Sequence, residues 1–303
     1  SLVEQGYSKD ILTSPQSLVA QRLVSAARAR ESRKQSERKI TQKNILKVTN
    51  LRCWHSLNNF PFGKKWIKAV DDVNFVLSEG ESLGVVGGSG CGKSTLCRAL
   101  MGLIPIRGGQ INLLGKELSR YENKLEIRQA MQMVFQDPLA CLNPKMKVGE
   151  AIADPFLIHR ICSLNESKEK ARHLLGQVGL NPPEEYENRF PKELSGGQQQ
   201  RVAIARSIAL NPKILICDES LSMLDSEIQA EVLSLLKNLQ KYLKLSILLI
   251  THDLNIAIGF CDQIMVLDNG KIVEKASGDE LLLNSNKTII RKLLLASPRL
   301  PDL

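Results

Sequence analysis

From Ile45 onward, apolar and polar residues alternate with a period of two. The runs ILKVTNLRCW and AVDDVNFVLSEGESLGVVG therefore predict strands. Ser82 to Val86 predicts a strand entering a glycine-rich turn, and Ser94 to Gly102 a helix leaving it. Beyond Gln136, a stretch rich in Pro, Glu, Lys and Leu reads as a helical insertion ending near Leu194. Strand–helix alternation then resumes. Ile214 to Asp218 is a strand, Glu227 to Leu243 a helix, and Leu245 to Ile250 the expected last core strand. The pattern predicts an α/β architecture. No apolar run approaches the ~20 residues that cross a bilayer, so any membrane role is expected to be peripheral.

Composition adds two constraints. The 303 residues are 43% hydrophobic, enough for a substantial core. The 7 cysteines are scattered and form no CxxC pair, which points to a reducing compartment and away from a structural zinc site or an iron–sulfur cluster. The formal charge of +9 is unevenly placed. Arg22, Arg28, Arg30, Arg33, Lys34, Arg38, Lys39, Lys43 and Lys47 face only Glu31 and Glu37 in the same stretch. Such a run suits either a solvated tether or an anionic contact. No aromatic is interleaved to stack a base, and a tether is expected, without nucleic acid.

The chemistry concentrates in three places. Gly87, Gly88, Ser89, Gly90, Cys91, Gly92, Lys93, Ser94 and Thr95 follow a strand and open a helix, the context a phosphate-binding loop needs. Its glycines let backbone N–H groups turn toward phosphate oxygens, Lys93 is placed for the β/γ phosphates, and the Ser94 hydroxyl for Mg²⁺. Cys91 reads as a filler of a variable position, with a redox role as the alternative. Asp218 ends an apolar strand, as a Mg²⁺-holding carboxylate would, and Glu219 beside it is the candidate general base. Ser195, Gly196, Gly197 and Gln198 belong at a helix N-terminus, where Ser195 can cap and a phosphate can approach.

LSGGQ just ahead of ILICDE, with GGSGCGKST upstream, resembles the ABC-transporter ATPases over residues 45 to 283. The resemblance implies a P-loop NTPase fold: a RecA-like core, an antiparallel β subdomain and an inserted α-helical subdomain at about 137–200. It implies ATP and Mg²⁺ as ligands. Gln136 in VFQDP matches the glutamine that touches Mg²⁺ and the attacking water, and His252 in ITHDL the histidine at the γ-phosphate. Ser195 to Gln198 would face the nucleotide of a second cassette, either fused or in a homodimer. Among Phe60, Phe62 and Trp66, Trp66 is the expected adenine-stacking residue. Where the family usually has Asp-Glu-Pro-x-Ser-Ala-Leu-Asp, this chain has Ser220 for the proline and Met223 for the alanine, a departure expected to alter cassette communication while leaving every ionisable role in place.

QDPLACLNPKMKVGEAIADPF, from Gln136 to Phe156, is similar to the dipeptide, oligopeptide and nickel importer ATPases. That implies transmembrane permease subunits as partners, an extracytoplasmic solute-binding protein acting indirectly, and a place on the cytoplasmic face of the plasma membrane. The start of the chain repeats its end at one constant offset: Val3-Glu4 recurs as Val273-Glu274, and Leu12, Leu23 and Ala26 as Leu282, Leu293 and Ala296. Residues 1–29 are therefore expected to be the tail of an upstream cassette, 30–44 a basic linker reaching at most ~50 Å, 45–283 the ATPase domain and 284–303 a C-terminal tail. The competing readings are a tandem ABC ATPase acting on ribosomes or DNA, and a catalytically weak coupling cassette.

Overall fold

The computed structural model describes residues 5, 7, 11, 13–21, 24, 41, 43–57, 65–120, 124–221, 224–284 and 288–296. The linker apart from its last residues, Phe60 and Phe62, and Met223 lie outside the described residues, as does most of the 1–29 segment.

Among the described residues, ten strands form two sheets. The first sheet is antiparallel, with β1 (Asn44–Leu57), β2 (Lys65–Ser78), β4 (Gly108–Leu113) and β5 (Lys116–Glu117) in the order β2-β1-β4-β5. The second contains β3 (Ser82–Val86), β6 (Met131–Val134), β7 (Ile214–Asp218), β8 (Ser246–Thr251), β9 (Gln263–Asp268) and β10 (Lys271–Ala276). Its order is β10-β9-β3-β8-β7-β6. All neighbours in this sheet are parallel except β10 on β9. Leu245 to Ile250 is thus not the last core strand. β9 follows it and closes on the far side of β3, which puts the strand leading into the glycine-rich loop inside the sheet.

The helices are α1 (Lys93–Leu100), α2 (Lys124–Ala130), α3 (Pro138–Cys141), α4 (Val148–Ile158), α5 (Leu164–Gln177), α6 (Pro183–Glu187), α7 (Gly196–Ile208), α8 (Ser226–Leu243), α9 (Leu254–Phe260), α10 (Gly278–Asn284) and α11 (Thr288–Ala296). The expected insertion is α3 to α6. Its α4–α5 pair packs through Ile152, Phe156, Ala171 and Leu175, and a bidentate Arg172–Glu187 pair ties α5 to α6 at 2.5 and 2.9 Å. α7 leaves the insertion and lies along the sheet, packed on β6 and α3.

Strand alternation decides which layer each core residue joins. On one face, Leu83, Val85, Ile214, Ile216, Leu248 and Ile250 meet the antiparallel sheet and α1. On the other, Val86, Leu215, Cys217, Ile247 and Leu249 meet α7, α8 and the insertion. The six-stranded sheet is the wall between two apolar layers, and its inner strands β3, β8 and β7 read as near-continuous apolar runs because both faces are covered. Residues 18–21 are helical with Ala20 and Val24 buried, and their repeat counterparts open α11 with Ile290 buried.

Candidate functional site

Four adjacent strands deliver the predicted residues to one edge of the sheet. β3 runs into Gly87–Thr95, and β8, paired to it at Val86↔Thr251, ends one residue before His252. β7, paired at Asp218↔Ile250, ends on Asp218 with Glu219 next, and β6, paired at Val134↔Cys217, leads to Gln136. Parallel pairing makes these C-terminal ends coincide, the edge where open α/β sheets hold ligands.

The loop is clamped from two sides. Gly92 caps α1 with φ 112°, and a Cβ there would lie 2.0 Å from Ala69 O of β2. A Cβ on Gly87 would lie 2.3 Å from Leu267 O of β9, and Gly270 N–H donates to Cys91 O at 3.0 Å. Only glycine permits both approaches. The Cys91 thiol is buried beneath the loop. Burial raises its pKa more than Lys93 lowers it, so it stays a protonated filler at neutral pH.

Lys93 is 5% exposed. Its ammonium donates to Gly87 O at 2.8 Å and Gly88 O at 3.0 Å, and it lies 3.4 Å from Glu219 Oε1. The candidate base and the phosphate-loop lysine, far apart in sequence, are therefore in contact. Glu219 is held with φ 43°, in the left-handed region, by its N–H donating to Ile250 O at 3.0 Å. A non-glycine residue there stores ~1–3 kcal/mol and is kept only where its surroundings hold it. Beside it, burial and then the Glu219 charge raise the Asp218 pKa, while Lys93 and Arg98 pull it down. Asp218 Oδ1 is buried without a hydrogen-bond partner. An orphaned carboxylate oxygen at this point, with Ser94 and Gln136 as further oxygen donors, fits Mg²⁺, a hard cation that completes its shell with water and phosphate. Among the described residues no cluster of three or more His, Cys, Asp or Glu could hold a metal alone.

Ser195 caps α7. Its Oγ accepts from Gln198 N–H at 3.4 Å, while Gln198 Oε1 accepts from Ser195 N–H at 3.0 Å, a reciprocal cap in which the serine contributes about 1 kcal/mol. Gly197 packs so closely on α8 that a Cβ would meet Ile228 Cγ2 at 2.7 Å, whereas Gly196 is exposed. α7 packs on β6 and on α8, and a Cβ on Gly196 would fall 4.0 Å from Leu224 Cδ2, just ahead of α8.

Trp66 does not join the loop. It pairs across β1–β2 with Ser56, and its ring stacks under Arg107, whose guanidinium carbon is 4.0 Å from the ring centroid. His55, one position along the ladder and therefore on the opposite face, reaches the loop instead, with Nε2 3.4 Å from Thr95 Oγ1. The exposed His55 ring, not Trp66, is the group beside the phosphate loop. Strand alternation past buried Cys53 was the available signal for it.

A family model described as "ABC transporter" matches residues 70–222. The chain is 47% identical over 239 residues to an oligopeptide transport ATP-binding protein, OppF, of Haemophilus influenzae, covering 78% of this chain and 71% of that protein. It is 42% identical over 271 residues to OppF of Escherichia coli, covering 86% and 79%. Among solved structures, the dimeric cassette MJ0796 bound to ADP and Pi superposes with a TM-score of 0.68 at 29% identity, covering 77% of this chain and 98% of that one. With the phosphate loop, the acidic strand end and the capped LSGGQ helix on one scaffold, the chain belongs to the ABC transporter family.

Proposed function

We propose that this chain is the ATP-hydrolysing subunit of an importer for peptides, working peripherally at the cytoplasmic face of a membrane. The observation that carries it is the 3.4 Å contact between Lys93 and Glu219 where four adjacent strands end. Lys93 and the N–H groups of Gly88 to Ser94 hold the β/γ phosphates, a cradle reinforced by the positive end of α1. Glu219 accepts the proton of the attacking water as its oxygen bonds to the γ-phosphorus and the bond to ADP breaks. His252 lies at the end of the strand between those carrying the loop and Asp218, which suits contact with the γ-phosphate. Gln136 orients the water. Bound between Asp218, Ser94, Gln136 and the phosphates, Mg²⁺ would neutralise charge developing on the phosphoryl oxygens.

The oligopeptide-transport names of the relatives, together with the Gln136 to Phe156 segment, support peptide as the cargo of the assembly. Permease subunits docking near Gln136, and a solute-binding protein upstream of them, complete such an importer. A second cassette supplies the other Ser195-type cap, either as a second copy or as a fused upstream unit. The constant-offset repeat, with buried Ala20 standing where Ile290 is buried, supports the fused arrangement.

The test is Glu219→Gln. The parent chain hydrolyses ATP, and the variant loses about 10²–10⁴-fold in turnover while binding a fluorescent ATP analogue as tightly. Turnover within about threefold of the parent would overturn the assignment.

A further inference from the structure

Gln200 is 1% exposed, and neither its Nε2 nor its Oε1 has a hydrogen-bond partner. The other buried glutamines differ. Gln229 donates to Leu221 O at 3.0 Å, and Gln240 to Gly80 O at 3.0 Å. Burying an amide with both ends unmatched is costly, and an apolar side chain of similar size would fill the space without that cost.

The place of Gln200 in the fold gives the amide a use. α7 runs antiparallel to β6, because the turn after it leads Lys213 N–H to Ala130 O at the foot of that strand. The Ser207 hydroxyl reaches Met133 O, which fixes the height of α7 against β6. From Ser207 back to Gln200 the helix rises ~10 Å on the same face. Beyond Met133 the strand ends at Val134 and the chain bends at Gln136, so residues 135–137 lie at most ~10 Å above Met133. Gln200 therefore stands above the C-terminal end of β6, on the α7 face packed against β6 and α3, the elements on either side of residues 135–137. One turn and a cap further on lies Ser195.

We propose that Gln200 is a positioning residue. Its amide engages the main chain of residues 135–137 when ATP is bound, locking the helix that begins at Ser195 to the segment that carries Gln136. The proposal deepens, and rests on, the ATPase reading above. It gives one helix two tasks: Ser195 and Gln198 cap the end offered to a second cassette, and Gln200 reports that engagement inward to Gln136.

The test uses Gln200→Leu and Gln200→Met in the full chain. Both are expected to melt at or above the parent temperature, since an unmatched amide leaves apolar surroundings, and to bind ATP unchanged. Their kcat falls roughly tenfold, with KM within about twofold. In a Gln136→Ala background the Leu substitution costs nothing further, because both residues act through one linkage. Two results overturn the proposal: a folded variant whose kcat stays within about twofold of the parent, or losses that multiply in the double variant. Failure of both variants to fold would make Gln200 a packing residue and overturn it as well. A parent chain with no turnover, indistinguishable from Glu219→Gln, would instead defeat the ATPase reading, and the Gln200 role with it.

Discussion

Burial at the end of β7, and the Glu219 carboxylate beside it, raise the pKa of Asp218 against the pull of Lys93 and Arg98. The folded chain therefore keeps this proton at pH values where the unfolded chain has released it. Stability falls as pH rises between the two pKa values, and the full penalty is present above the folded one. Asp218→Asn removes the penalty. The variant is expected to melt above the parent at about pH 7.5, with the gap closing toward about pH 4, and to lose ATP turnover. Thermal melts across that range check it, and a parent that melts higher at neutral pH would contradict it. The residues themselves are legible in the sequence, because ILIC is an apolar strand and two acids end it. Their tension is not. It arises from burial at the strand end and from the Glu219 carboxylate, which the closed sheet sets 3.4 Å from Lys93.

Among the elements, β1 and β2 set which ring lies beside the phosphate loop. Their ladder places His55 opposite Ile67 and Ser56 opposite Trp66, so neighbouring residues face opposite ways. Register shifts at Val48/Leu51 and Cys53/Trp54 displace the alternation, and distance from the phosphate loop along the chain therefore favoured Trp66. His55→Ala is expected to weaken ATP binding by about tenfold, as for loss of a stacked base worth ~1–3 kcal/mol. Trp66→Ala should leave the affinity unchanged and cost ~0.5–1 kcal/mol of stability through the lost Arg107 stack. Titration with a fluorescent ATP analogue separates the two. Equal effects on affinity would restore Trp66 to the site. Elements with strong punctuation, such as β3 with its glycine loop and α8 behind the Asp225 cap, are readable from pattern. β9 and β10 are short, and nothing in their sequence announces that β9 will flank β3. Gln200 escapes notice for a related reason. A glutamine in a helix reads as surface until packing buries it.

For the whole molecule, the order of the six-stranded sheet sets a distance. β8 and β7 stand between β3 and β6, so the strand that carries the loop and the strand under α7 are separated by three strand spacings, ~14 Å. The cap at Ser195 is expected to serve the nucleotide of a second cassette. Specific ATPase activity is therefore expected to rise with chain concentration and to level off once two cassettes pair. A flat rate from a chain shown by light scattering to be monomeric would refute this. The clamp around Gly92, by contrast, acts within one chain. With Ala69 O on one side and Leu267 O and Gly270 N–H on the other, the loop has no alternative shape to adopt. ATP loading is then expected to need no reshaping of the loop, and the pairing and parting of two cassettes is the step expected to set the tempo of turnover.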